Sequence, residues 1–215
     1  MLQEMIAEHD ACIWALGTST VGMSEDKYTE ITVGYLDAFL NVLGEKAVGT
    51  VDSPFRVVFV SANGADSTET SRTLFKRVKV RKESPADNRS FSLPFNPVFM
   101  LQGRAENNLR NAMAQSGGRL GATIMRPGYF FPSNAYPQDA RNQRSLALRT
   151  LDKFLGPAFS LFYPAALISV EEIGKFALEA ACGKWEAKGG PIFENAEMKD
   201  LVRSLSVASP SHGEL

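Results

Sequence analysis

Short apolar runs alternate with longer stretches of helical periodicity along this chain, and that alternation is its first structural statement. Asp10 precedes ACIWAL, apolar from Ala11 to Leu16 and stopped by Gly17, Thr18 and Ser19, as a buried parallel strand ending in a polar loop would be. From about Thr29 to Leu43, Tyr35, Leu36, Phe39, Leu40 and Leu43 recur at helical spacing and predict a helix covering one side of a sheet. FRVVFV, Phe55 to Val60, predicts a second buried strand with SANGAD as its loop. Arg119 to Met125 predicts a third, followed at once by RPG.

Between the second and third strands the periodicity fails and then returns. Ser71 through Lys79 reads as helical, but Pro85, Pro94 and Pro97 and the polar stretch Asp87 to Ser92 interrupt it. Order resumes at GRAENNLRNAMAQSGG, where Ala105, Leu109, Ala112 and Met113 form a stripe and Gly117-Gly118 a stop. Beyond RPG, YFFPSNAYPQDARNQRS is an irregular crossing and LALRTLDKFLG a short helix. Ser169 and Glu172 match a capping box for the helix in EEIGKFALEAACGK, with Glu171 and Lys184 suited to its two ends. PIFENAEMKDLVRSLS adds a short extended piece and a last amphipathic helix, and residues 209–215 form a flexible tail. These elements predict an α/β fold, a partial Rossmann-like parallel sheet with flanking helices in a single incomplete domain over residues 1–215.

Composition narrows the picture only modestly. The chain has 215 residues, 44% of them hydrophobic, which suffices for one substantial core. Lys and Arg total 23 against 24 Asp and Glu, and this balance offers no general field for nucleic acid or an acidic membrane. Cys12, Cys182, His9 and His212 lie at spacings that form no metal cluster. No run is long enough to span a bilayer and no leader is visible, so a cytoplasmic location is expected.

A Gly-rich turn that would seat a pyrophosphate on a helix amino end is not found, either before Ala11 or after a later strand. Nevertheless ALGTST, VVFVSANGAD, LFKRVK, GRAENNL, TIMRPGYFFP, ISVEEIGKFALEAACGKW and IFENAEM occur in an order that resembles the atypical short-chain dehydrogenase/reductase family, in its NAD(P)H-binding epimerase-like branch. The resemblance covers about residues 10 to 198 and implies that the first βαβ unit of the fold is lacking here. It also implies NADP or NAD as the cofactor of complete relatives and a small-molecule carbonyl or alcohol as substrate. Binding by this chain is expected to suffer from the lost phosphate cradle.

The same resemblance assigns candidate roles. Gly17 and Thr18 would lie beside the cofactor, and Pro127 and Gly128 of the RPG loop would line the nicotinamide region. Arg126 would line that loop too, or pair with a carboxylate and hold it. Ser61 would polarise the substrate, although Ala62 competes for that register. Asp66 with Ser67 would cap the helix that follows. Lys79 would bind the nicotinamide ribose and support catalysis, but Phe75 stands where the family has its proton-transferring tyrosine. Neither Tyr129 nor Tyr136 has the required lysine spacing.

The 23 residues from Val80 to Gln102 separate RVK from GRAE, which the family joins directly. Valine codons begin with GT and one glutamine codon is CAG, so a disordered insertion from a retained intron is expected. The expected activity is therefore that of an NAD(P)-binding oxidoreductase-like protein, weak or inactive as written. Two alternatives stand beside it: a non-catalytic interaction or regulatory module, and a nucleotide-sugar epimerase or dehydratase. Loss of the first strands would leave ACIWAL at an exposed sheet edge and favour self-association.

Overall fold

Alternation of side chains across the strands builds two cores on the two faces of one sheet. The computed structural model describes residues 6, 8–18, 23–45, 48–68, 97–130, 166–186, 188 and 190–208. Four strands, β1 (Ala11–Trp14), β2 (Phe55–Val60), β3 (Leu120–Arg126) and β4 (Ile192–Glu194), pair in parallel in the order β1-β2-β3-β4. Cys12, Trp14, Val57, Phe59 and Ile124 point to one face and Val58, Met125 and Phe193 to the other. Parallel β2 is thus buried on both sides, which is why its sequence is one unbroken apolar run.

The first face is covered by a helix running from Glu25 to Glu45 and by α3 (Pro97–Gln115). The former is α1 (Glu25–Thr29), a π-helical turn over Glu30–Gly34, and α2 (Tyr35–Glu45). Ser24 caps its start, accepting from the Lys27 amide at 3.3 Å. The π turn adds one residue to the helical phase, so Val33 and Leu36 enter the core while Tyr35 is left 41% exposed. This corrects the expected stripe, in which Tyr35 faced the sheet.

On the second face lie α4 (Val170–Ala181) and α5 (Asn195–Ala208), with Phe176, Ala177, Met198 and Leu201 buried against Val58, Met125 and Phe193. The expected capping box is present: Glu172 donates its amide to Ser169 Oγ at 3.0 Å, and the Ser169 amide donates to the Glu172 carboxylate at 2.9 Å. Among the described residues β1 is an edge strand, as expected, and Ile13 and Leu16 on and after it are 43% and 47% exposed. Among the described residues no helix is long and apolar enough to cross a membrane.

Helix α3 starts at Pro97, six residues before the start expected at Gly103, so residues 97–102 at the end of the supposed insertion are helical. Leu101 packs on the first core, which gives that extra turn and a half a reason to form. The helices expected over Ser71–Lys79 and in LALRTLDKFLG, the remainder of the supposed insertion and the tail lie outside the described residues.

One glycine decides how close α3 comes to the sheet. A Cβ on Gly103 would overlap the Asp66 carbonyl and press on the Ser67 nitrogen, both backbone groups that cannot rotate away. Gly103→Ala is therefore expected to lower stability by about 1–3 kcal/mol through forced displacement of α3, measured as a lower urea midpoint.

Candidate functional site

Parallel pairing brings the loops after β1, β2 and β3 to the same end of the sheet, the side on which open α/β sheets bind ligands. The ladder continues past the strand ends. The Ser61 amide donates to the Met125 carbonyl at 2.8 Å and the Asn63 amide to the Pro127 carbonyl at 3.1 Å. Loops Ser61–Asp66 and Pro127–Tyr129 therefore run side by side.

Beneath them sits a buried ionic cluster. Glu106, on α3 and fully buried, accepts from Arg126 Nε at 3.0 Å and from its terminal nitrogen at 2.5 Å. Arg126 also bonds to Glu194 at 2.9 Å, at the end of β4. Ser61 is buried as well, and its hydroxyl donates to the same Glu106 carboxylate at 2.5 Å. Arg126 thus does pair with carboxylates and hold its loop. Hydrogen bonding to Glu106 raises its pKa above the ordinary arginine value, with desolvation opposing and Glu194 adding to the rise. The guanidinium is a permanent charge and serves as an anchor.

The other predicted residues divide into three groups. Pro127 is buried and Gly128 half-buried at the centre of this arrangement, where a Cβ on Gly128 would overlap the Ala166 carbonyl. The Gly128 amide donates to Asn195 Oδ1 at 2.7 Å, and the Tyr129 amide to Ala166 O at 2.8 Å. Gly17 is exposed, with no described residue beyond its chain neighbours within 4 Å of where a Cβ would stand, and Thr18 beside it is half-buried. Lys79, Phe75 and Tyr136 lie outside the described residues.

Ser61 is turned inward. It is 7% exposed and its hydroxyl donates to the buried Glu106 carboxylate. Asp66 accepts from the Thr68 amide at 2.9 Å in an Asx turn, and the helix it was expected to cap with Ser67 lies outside the described residues. Burial raises the pKa of the Cys12 thiol, and Cys12 and Cys182 are both free. Among the described residues no group of three or more His, Cys, Asp or Glu could hold a metal ion.

Sequence reasoning missed Glu106 and Asn195. The signal for Glu106 was available, since a carboxylate three residues before Leu109 sits on the apolar side of α3, where a charge requires a partner. Asn195 gave no such signal, because it opens a helix and reads as an ordinary cap.

No family model matches the chain, and no curated protein matches it. Solved structures do. RhlG of Pseudomonas aeruginosa, in an NADP active-site complex, is 17% identical with a TM-score of 0.51 over 92% of this chain and 68% of that one. MoeE5, in complex with UDP-glucose and NAD, is 12% identical with a TM-score of 0.52 over 96% of this chain and 65% of that one. The fold is Rossmann-like. At these identities the likeness is one of fold alone, and this chain spans about two thirds of the length of each neighbour. Within the Rossmann-like sheet, the Glu106 cluster and the Pro127–Tyr129 loop lie at the carboxyl ends of β2 and β3.

Removing one partner of the buried pair strands the other. Glu106→Ala is expected to cost about 3–5 kcal/mol, since it leaves the mostly buried Arg126 without its principal partner. Glu106→Leu combined with Arg126→Met should regain much of that loss, and urea unfolding of both variants checks the comparison.

Proposed function

We propose that this protein is an NAD(P)-binding oxidoreductase-like member of the Rossmann-like folds, weak or inactive in hydride transfer as the chain stands. The observation that carries the reading is the Pro127–Gly128 loop, held at the carboxyl end of a parallel sheet beside the Ser61–Asp66 loop. Both structural neighbours are complexes with a nicotinamide dinucleotide, which supports the same reading. A bound nicotinamide would supply the hydride donor or acceptor for a carbonyl or alcohol. Pro127 and Gly128 would form its wall, Gly17 and Thr18 would offer backbone and hydroxyl contacts at the β1 loop, and Lys79 would reach the ribose. Proton transfer is the weak step: Phe75 has no hydroxyl, and the Ser61 proton is held by Glu106. Free thiols and a near-neutral charge suit a cytoplasmic setting.

Titration of the purified chain with NADPH and with NADH, followed by nicotinamide fluorescence, tests this directly. Saturable binding, weakened about tenfold or more by Gly128→Val, is expected because a side chain there collides with the Ala166 carbonyl and displaces the loop that would form the cofactor wall. Absence of saturation with either dinucleotide at millimolar concentration would overturn the reading.

A second reading, a protein-interaction module, is favoured by the outer edge of β1. Ile13 and Leu16 are substantially exposed there, and Ala11 to Leu16 contains none of the charges that usually guard an edge strand. If the edge mediates self-association, sedimentation velocity should show concentration-dependent dimers that Ile13→Lys abolishes. A monomer at all concentrations would remove this reading. Epimerase or dehydratase chemistry draws support only from the UDP-glucose bound in MoeE5.

A further inference from the structure

Asn195 is 3% exposed, an unusually deep position for a carboxamide at the first residue of a helix. Its Oδ1 accepts from the Gly128 amide at 2.7 Å, and its Nδ2 donates to the Leu167 carbonyl at 3.2 Å. One side chain therefore joins two segments that already run together through a parallel bridge between Tyr129 and Leu167. In that bridge the Tyr129 amide donates to Ala166 O at 2.8 Å and the Ile168 amide to Tyr129 O at 3.1 Å.

The peptide unit between Pro127 and Gly128 is the critical object. Its carbonyl, from Pro127, accepts from the Asn63 amide at 3.1 Å, while its N–H, from Gly128, points to Asn195. The two ends of one rigid plane are thus gripped from opposite sides, by the β2 loop and by the amino end of α5. Glycine at 128 leaves this plane free to rotate unless something holds it. A carboxamide suits the task because it offers an acceptor and a donor at once; a carboxylate in the same place lacks the donor.

We infer that Asn195 is a positioning residue that sets the orientation of the Pro127–Gly128 peptide and docks that loop on Ala166–Ile168. Its functional consequence rests on the reading of this loop as the nicotinamide-facing wall. The structural half stands without it.

Amide hydrogen exchange of the whole chain, resolved residue by residue by NMR, separates the two roles of the side chain. In Asn195→Ala, exchange at Asn63 and Gly128 is expected to accelerate about tenfold or more, together with Tyr129 and Ile168, while Val58 and Ile124 in the strand ladder keep their wild-type rates. Asn195→Asp retains the acceptor, so Asn63 and Gly128 should stay protected while Tyr129 and Ile168 exchange faster. Uniform acceleration that includes Val58 and Ile124, or wild-type rates at Asn63 and Gly128 in Asn195→Ala, would overturn the inference. If the alanine variant does not fold, the split between Gly128 and Ile168 in the aspartate variant decides it, and its absence overturns the inference. NADPH affinity is measured in parallel and should fall about tenfold in Asn195→Ala. A wild-type chain that binds no NADPH defeats the cofactor reading, whereas the exchange pattern judges Asn195 independently.

Discussion

A fully buried carboxylate facing a mostly buried guanidinium is the constraint around which this structure is arranged. Glu106 reaches from α3 to Arg126 at the end of β3 and to Ser61 at the end of β2, and Arg126 reaches on to Glu194 at the end of β4. Charges with so little water around them demand fixed partners, so the helix and three strand ends have one mutual arrangement. Close packing of Gly103 on the Asp66 backbone brings α3 near enough for Glu106 to reach. Steric fit and ion pairing therefore cooperate.

That arrangement also shapes what chemistry the protein can offer. A serine at the end of a central strand is an attractive candidate for polarising a substrate, yet here its hydroxyl completes the coordination of a buried anion. Beside it the Pro127–Tyr129 loop is held by backbone hydrogen bonds to Asn63 and Ala166.

Some features were legible because they depend on neighbours in sequence. The capping box at Ser169 and Glu172 is a contact over three residues, and the FRVVFV strand announces its burial by its apolar run. Helix phase was less legible. The π turn at Glu30–Gly34 displaced Tyr35 from the core, and no local propensity distinguishes that turn from ordinary helix. The early start of α3 at Pro97 was hidden for a related reason, since Leu101 gains its burial from the first core and not from its own segment. Of the candidate site, Pro127 and Gly128 were readable as a loop after a strand, and Arg126 as a possible partner for a carboxylate. The identity of that carboxylate was not.

Alternating apolar runs and helical stripes were enough to establish a parallel α/β sheet and to place β1, β2 and β3, because burial of each element is written into its own periodicity. Pairing across the chain obeys a different rule. Glu106 lies 45 residues from Ser61 and 20 from Arg126, and Asn195 lies 67 from Gly128, so only the folded sheet brings these groups within bonding distance. Local patterns record which face of an element avoids water; which polar groups meet once water is gone is settled by the geometry of packing.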